Sequence, residues 1–296
     1  MEKTRTISKP SWFKVRIPSG EKFSNINSLM KKLNLHSVCE EALCPNRAEC
    51  WGLGTATFLV MGDECTRSCR FCSIKTNPQP MLPDINEPKN IALAVKELSL
   101  KYLVLTSVDR DDLSDLGSRH FAECITETKK MNSCCKIEVL APDFQGKKEL
   151  IDTVVEAKPD VFAHNIEVVE RLQSKMRDAR ASYKTSLSVL KEVKETDSLI
   201  LTKSSVMLGF GETKEEVLQL MDNLRVVDCD FLTIGQYLQP TKNNLPVINY
   251  LEPKLFDELK QKALSRGFKG VVSGPLVRSS YMAHKLFYGG KHETKL

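Results

Sequence analysis

The feature that most restricts this chain is an alternation that repeats along most of its length. Six short apolar runs, at 57–61, 102–107, 136–140, 161–164, 205–209 and 231–236, are separated by stretches of helical periodicity. Runs of about five residues rich in β-branched and aliphatic side chains read as buried strands. Between them, Ile91, Ala94, Val95 and Leu98 recur at helical spacing just after Pro88. Thr213 and Glu216 have capping-box spacing ahead of Val217, Leu220, Met221 and Leu224. Leu255, Leu259 and Ala263 predict a later helix closed by Gly267. Strands joined through helices must run parallel, because a parallel pair needs a long crossover. A seventh candidate strand covers 270–273, and no GxGxxG follows any strand. The expected class is therefore α/β, an incomplete (β/α)6-type TIM-like barrel rather than a doubly wound sheet.

Composition narrows the function classes. The chain has 296 residues, 41% of them hydrophobic and 27% charged, which is globular and long enough for a sizeable core. No apolar run approaches the roughly 18 residues of a membrane span. The first residues, MEKTRTISKPSWFKVR, lack the apolar core of a secretory signal, so the expected compartment is the cytoplasm. A net charge of +5, from 43 basic and 38 acidic residues, is too mild and too interspersed to argue for nucleic acid.

Cysteine usage is the second constraint. Of ten cysteines, six fall between residues 39 and 72. In a reducing compartment such residues are more often metal ligands or catalytic groups than disulfides. Cys65, Cys69 and Cys72 form C-x3-C-x2-C directly after the first strand. Three soft thiolates on one loop suit three corners of an iron–sulfur cluster and leave one iron open to substrate. Cys39, Cys44 and Cys50 form a second triad, C-x4-C-x5-C, just upstream. A zinc knuckle is the competing reading, but only Cys69 and Cys72 have the paired C-x2-C spacing that zinc sites favour. Cys124, Cys134, Cys135 and Cys229 have no ligand-like spacing, and His36 and His164 have no matching ligand partner, so all six read as structural.

The strand ends carry polar groups: Asp109 to Asp112, Asp143 and Gln145, Asn165 and Glu167, Glu212, and Gln239. Polar side chains at the C-terminal ends of barrel strands converge on one face, where such barrels do chemistry. Each set taken alone also reads as a turn or helix cap.

C-x3-C-x2-C after the first barrel strand is similar to the radical S-adenosylmethionine (SAM) signature. The upstream string CEEA-x-CPN-x3-CW, together with KPSWFK, TSVDRDDL, LAPDFQG, HNIE-x3-RL, MLGFGET, GQYLQPT and SGPLVRSSY, closely resembles the lipoyl synthase family of that superfamily. The resemblance covers nearly the whole chain, and Arg47-Ala48 is a small departure from it. It implies two 4Fe–4S clusters, one on Cys65, Cys69 and Cys72 that binds SAM, and one on Cys39, Cys44, Cys50 and a serine. Ser280 is the expected serine ligand, with Ser279 the alternative; without the resemblance the pair would read as a helix N-cap.

The implied reaction inserts two sulfurs, at C6 and C8 of a protein-bound octanoyl-lysine. It consumes one SAM for each sulfur and draws both sulfurs from the second cluster. Asn165, Glu167, Ser107 and Asp109 are expected SAM contacts, and Arg278 is expected to pair with a carboxylate or to steady the serine loop. Implied partners are octanoylated lipoyl carrier domains (2-oxoacid dehydrogenase E2 subunits and the glycine cleavage H protein), a ferredoxin- or flavodoxin-type electron donor and iron–sulfur assembly or repair proteins. The implied division is an N-terminal extension (1–54), the barrel (55–268) and a C-terminal extension (269–296), both extensions folding over the barrel mouth. A different two-cluster radical SAM enzyme, a ferredoxin-type carrier and a zinc-dependent nucleic-acid module remain the competing classes.

Overall fold

The computed structural model describes residues 8–14, 21–52 and 57–289. Seven strands run parallel in one sheet: β1 (Thr57–Val60), β2 (Tyr102–Ser107), β3 (Lys136–Leu140), β4 (Val161–Ala163), β5 (Leu201–Leu208), β6 (Phe231–Gln236) and β7 (Gly270–Gly274). They lie side by side in chain order. An eighth, two-residue strand (His36–Ser37) pairs antiparallel with the outer edge of β1. Among the described residues no ladder joins that edge to β7, so the sheet stays open, as the incomplete-barrel reading expects.

The longer helices are α1 (Glu21–Lys32), α2 (Glu87–Glu97), α3 (Ser118–Met131), α4 (Lys148–Glu156), α5 (Tyr183–Thr196), α6 (Lys214–Val226) and α7 (Pro253–Leu264). Each of α2 to α7 follows a strand and returns the chain to the start of the next, which is what parallel pairing demands. Their buried stripes follow the sequence periodicity: Ile91, Ala94 and Val95 on α2, and Val217, Leu220, Met221 and Leu224 on α6, are buried. The Thr213–Glu216 capping box forms in both directions at the start of α6.

Several strand ends differ by one residue from the sequence reading, and two boundaries differ for a physical reason. The first strand stops at Val60, because Met61 turns out of it with φ of 68°. The fifth begins at Leu201 rather than Ser205. Its first residues, Thr202, Lys203 and Ser204, are polar but buried. Lys203 Nζ lies 2.7 Å from Glu138 Oε1, and Tyr102 OH donates to Glu138 Oε2 at 2.7 Å. A lysine inside the sheet is tolerable only with such a partner, and a pattern of apolar residues does not reveal the partner.

Candidate functional site

A cavity of about 490 Å³ opens at the C-terminal ends of the strands and runs down the sheet interior to Tyr102. Its lining includes Cys39, Cys44 and Cys50, Cys65, Cys69 and Cys72, Ser279 and Ser280, and Ser107, Asp109, Asn165 and Glu167. All the expected ligands and SAM contacts therefore face one space. Every cysteine is free of disulfides. Cys124, Cys135 and Cys229 are buried and Cys134 is exposed, and none of the four lines the cavity. His164 does line it, but its ring is tied to Ala141 O and Ser186 Oγ, each at 2.9 Å. His36 lies near Glu41 and Asp63, away from the cavity.

The loop carrying Cys65, Cys69 and Cys72 is fixed by buried charge. Arg67, two residues past Cys65, reaches Asp143 (2.7 and 2.8 Å) and Asp111 (2.9 Å twice), so it bridges the ends of β2 and β3. Thr66 N donates to Asp109 O at 3.0 Å and Ser68 N to Asp178 Oδ2 at 3.0 Å. Asn244 Nδ2, beyond β6, donates to Cys72 O at 2.7 Å. Backbone N–H groups also point at the sulfurs: those of Arg67 (3.4 Å) and Asp109 (3.3 Å) at Cys65, and that of Asp178 (3.4 Å) at Cys69. N–H donation to sulfur favours the thiolate and tunes a cluster's potential.

Burial pushes the thiols of Cys65 and Cys69 up to about 12 and that of Cys72 up to about 11. Metal binding at this loop would therefore be coupled to proton release. Burial also raises Asp109 to about 6, against the pull of Arg67, and raises Glu167 against the pull of Arg177. Asn165 donates to Glu167 Oε1 at 3.1 Å, so two expected SAM contacts hold each other. Ser107 Oγ is buried without a hydrogen-bond partner among the described residues, on the cavity wall. A polar atom left unpaired there fits a site that receives a polar ligand.

The second triad sits on lighter scaffolding. Ser37 caps the short helix Val38–Glu41, accepting from Cys39 N at 3.1 Å. Cys50 lies in the helix Arg47–Gly52 beside the fully buried Trp51. Arg47, the departure from the family string, stacks on Phe23 and Trp51 and pairs with Glu40 at 2.8 Å. The C-terminal segment is stitched to this region. Asn46 Nδ2 donates to Leu276 O at 2.7 Å, and Tyr281 OH donates to the Glu49 carboxylate at 3.3 Å.

Gly235 lets the serine loop approach the barrel, since a Cβ there would come within 2.1 Å of Val277 O. Arg278 donates to Val277 O (2.7 Å) and Gln236 O (3.1 Å), so of its two expected roles it steadies the serine loop. Asp143, one of the polar strand-end groups, lines the cavity as expected, whereas Arg67 and Arg177 line it without having been singled out from sequence. Arg67 stands inside the C-x3-C-x2-C string, which is a usable signal, whereas Arg177 has none.

The donor set and its setting fit thiolate-held iron–sulfur ligation beside a polar ligand, and the chain resembles known proteins of that kind. Residues 59–224 match the radical SAM superfamily, and residues 1–44 match the N-terminal domain of lipoyl synthase of the radical SAM family. A lipoyl synthase of Caldicellulosiruptor bescii is 54% identical over 277 residues, 94% of each chain. One of Anaeromyxobacter sp. is 49% identical over 286 residues, 97% of each. The apicoplast lipoyl synthase of Plasmodium vivax is 52% identical over 279 residues, 94% of this chain, and the match spans only 63% of that protein's length.

Two solved structures share the fold. Methylornithine synthase has a TM-score of 0.57 at 15% identity, covering 83% of this chain and 74% of that one. A maturase of the FeFe hydrogenase has a TM-score of 0.57 at 13% identity, covering 86% and 68%. With half its sequence shared along nearly its whole length, and both cysteine triads gathered on one cavity, the chain belongs to the lipoyl synthase family of the radical SAM superfamily.

Proposed function

We propose that this chain inserts two sulfur atoms, at C6 and C8 of a protein-bound octanoyl-lysine, to give the lipoyl group. The observation that carries the reading is the convergence of two separate cysteine triads and a serine pair on one cavity. A carrier of electrons has no use for two triads with an open corner facing a shared pocket. Cys65, Cys69 and Cys72 hold the cluster that binds SAM. That cluster, when bound, supplies one-electron cleavage of SAM and so hydrogen abstraction from C–H bonds that acid–base chemistry cannot reach. Ser107 and Asp109 at the end of β2, and Asn165 and Glu167 after β4, orient SAM.

Cys39, Cys44, Cys50 and Ser280 hold the second cluster, which is the sulfur donor and is consumed as a substrate. An alkoxide is a harder ligand than thiolate and a poorer match to iron–sulfur. Ser280 is therefore the corner that releases iron as the cluster is taken apart. Val104, Leu59 and Leu140 on the cavity wall give the acyl chain an apolar path and exclude water from the reacting carbons.

In this reading 1–54 and 269–296 are extensions that close a barrel of 55–268. The substrate proteins are octanoylated lipoyl carrier domains, the E2 subunits of 2-oxoacid dehydrogenases and the glycine cleavage H protein. Two SAM are used per lipoyl group, a ferredoxin- or flavodoxin-type protein supplies electrons, and assembly or repair proteins restore the second cluster. The compartment is cytoplasmic. In the described residues no helix is long and apolar enough to cross a membrane.

Anaerobic reconstitution with iron and sulfide tests the reading. About eight irons per chain, falling to about four in Cys39→Ala, are expected of two 4Fe–4S clusters. The intact protein should then convert an octanoyl-lysyl peptide with SAM and dithionite. About four irons in the intact chain, unchanged by Cys39→Ala, would sink the two-cluster reading.

A further inference from the structure

Between the end of β1 at Val60 and the first cluster cysteine at Cys65 the chain must leave the sheet and turn over the cavity. Met61 and Gly62 make that turn with φ of 68° and 89°. Glycine accepts the left-handed region freely, but methionine does not, so the surroundings must impose it. Met61 is held at three points. Its N–H donates to Glu87 Oε2 at 2.8 Å, and its carbonyl accepts from Arg110 at 3.3 Å. Its sulfur lies against Gly117, where a Cβ would come within 2.3 Å of it.

Behind Glu87, His120 Nε2 lies 2.6 Å from the same carboxylate oxygen. The Glu87 side chain is 5% exposed and that of His120 13%. Glu87 is the first residue of α2 and His120 lies in the first turn of α3, so two neighbouring helices meet at this carboxylate. Neither residue lines the cavity or has a part in the proposed chemistry. A pair that served only to join two helices would have no need to reach a strained backbone N–H four residues before a cluster ligand.

We propose that Glu87, backed by His120, is a positioning residue for the first cluster: the pair fixes the Met61–Gly62 turn and so the aim of Cys65 toward Cys69 and Cys72. The inference rests on the reading that these three cysteines hold the SAM-binding cluster. Its consequence concerns geometry rather than occupancy. Loosening the turn leaves three thiolates able to take up iron but moves the open corner away from SAM.

The test uses the full chain with both clusters loaded, in Glu87→Ala, Glu87→Gln and His120→Ala. Iron and sulfide per chain, the electron paramagnetic resonance change that SAM produces in the reduced protein, and the rate of 5′-deoxyadenosine formation are measured together. Asp230→Asn serves as the comparison, because it removes another buried carboxylate, paired with Lys194 and Lys269, next to the start of β6 at the opposite end of the sheet. Expected is wild-type iron content in all four variants. The SAM-dependent spectrum should change and 5′-deoxyadenosine formation should fall at least tenfold in Glu87→Ala. His120→Ala should show a smaller loss in the same direction. Glu87→Gln, whose amide oxygen still accepts from Met61 N–H, should recover most of the rate, and Asp230→Asn should show the wild-type spectrum. If Glu87→Ala does not fold, His120→Ala decides. A wild-type spectrum and rate in the variants, or the same losses in Asp230→Asn, would overturn the inference alone. A wild-type protein that cleaves no SAM would overturn the proposed function and this inference with it.

Discussion

The loop with Cys65, Cys69 and Cys72 is held by a buried arginine hydrogen-bonded to the carboxylates of Asp111 and Asp143, by side chains from beyond two further strands, and by backbone N–H groups aimed at its sulfurs. The segment with Cys39, Cys44 and Cys50 lines the same cavity but is held by two helices of four and six residues, one serine cap and a few contacts to the C-terminal loop. The contrast matches what each would have to do. A cluster that must pass electrons and bind SAM repeatedly needs a fixed frame. One that gives up sulfur and iron needs ligands that move apart and are refilled. The largest test separates the two directly. Cys69→Ala is expected to bring 5′-deoxyadenosine formation from SAM to background. Cys44→Ala should keep it near the intact level while abolishing sulfur insertion into an octanoyl-lysyl peptide. Equal losses from both would mean the triads do not divide the work.

Stability should divide in the same way. Arg67→Met leaves Asp143 buried without its partner and is expected to cost about 3–5 kcal/mol, the usual range for breaking a buried pair. Arg47→Met, beside the second triad, removes an ion pair with both side chains about a third exposed, so its electrostatic cost should stay below about 1 kcal/mol. Urea midpoints at unchanged slope measure both. A loss at Arg47 as large as at Arg67 would erase the distinction.

These two arginines also show how far the sequence was legible. Seven strand positions and the triads follow from alternation and spacing, which are local properties. The fifth strand was read four residues short because Lys203 is made acceptable by Glu138, a partner 65 positions away. Arg67 lies two residues from Cys65 and two from Cys69 in sequence, yet its weight comes from Asp111 and Asp143, which only the fold brings to it. Arg177 is a cavity residue whose local sequence carries no motif. Spacing reveals the cysteine ligands because one short segment supplies each triad, whereas Ser280 comes from the far end of the chain. Spacing is blind to groups assembled from the ends of several strands.

Acid should loosen the barrel side of the comparison. Burial, then the charge of Arg177, hold His164 down at about 4, against 6.5 for a free imidazole. Above pH 6.5 both states are neutral there and the group contributes nothing to the pH dependence. Between about 6.5 and about 4 the unfolded chain binds a proton that the folded chain refuses, so stability falls by up to about 1.4 kcal/mol per unit, about 3 kcal/mol in total. Asp109 acts in the opposite sense, because its folded value of about 6 lies above the unfolded 3.8 and it takes its proton first in the folded chain. The comparison of wild type with His164→Asn isolates the histidine. Urea unfolding of the cluster-free protein across this window should show a shallower fall for the variant, and parallel curves would rule His164 out as the cause.

The smallest expected effects bear on the lightly held side. Asn46 is buried and donates to Leu276 O at 2.7 Å, the link between the second triad and the loop that carries Ser280. Asn46→Ala should cost about 1 kcal/mol, the net worth of one such bond. Tyr281→Phe removes a longer contact, 3.3 Å to a half-exposed Glu49, and should cost no more than a few tenths of a kcal/mol. Global stability would barely register either change, but the second cluster should. If the C-terminal loop closes the fourth corner, Asn46→Ala releases iron from that cluster to a chelator faster than wild type, with Tyr281→Phe between them. The four irons of the first cluster should leave at the wild-type rate in both. Iron loss that quickens equally from both clusters would place the stitching in the general stability of the barrel and remove the reason to treat the two triads as separately built.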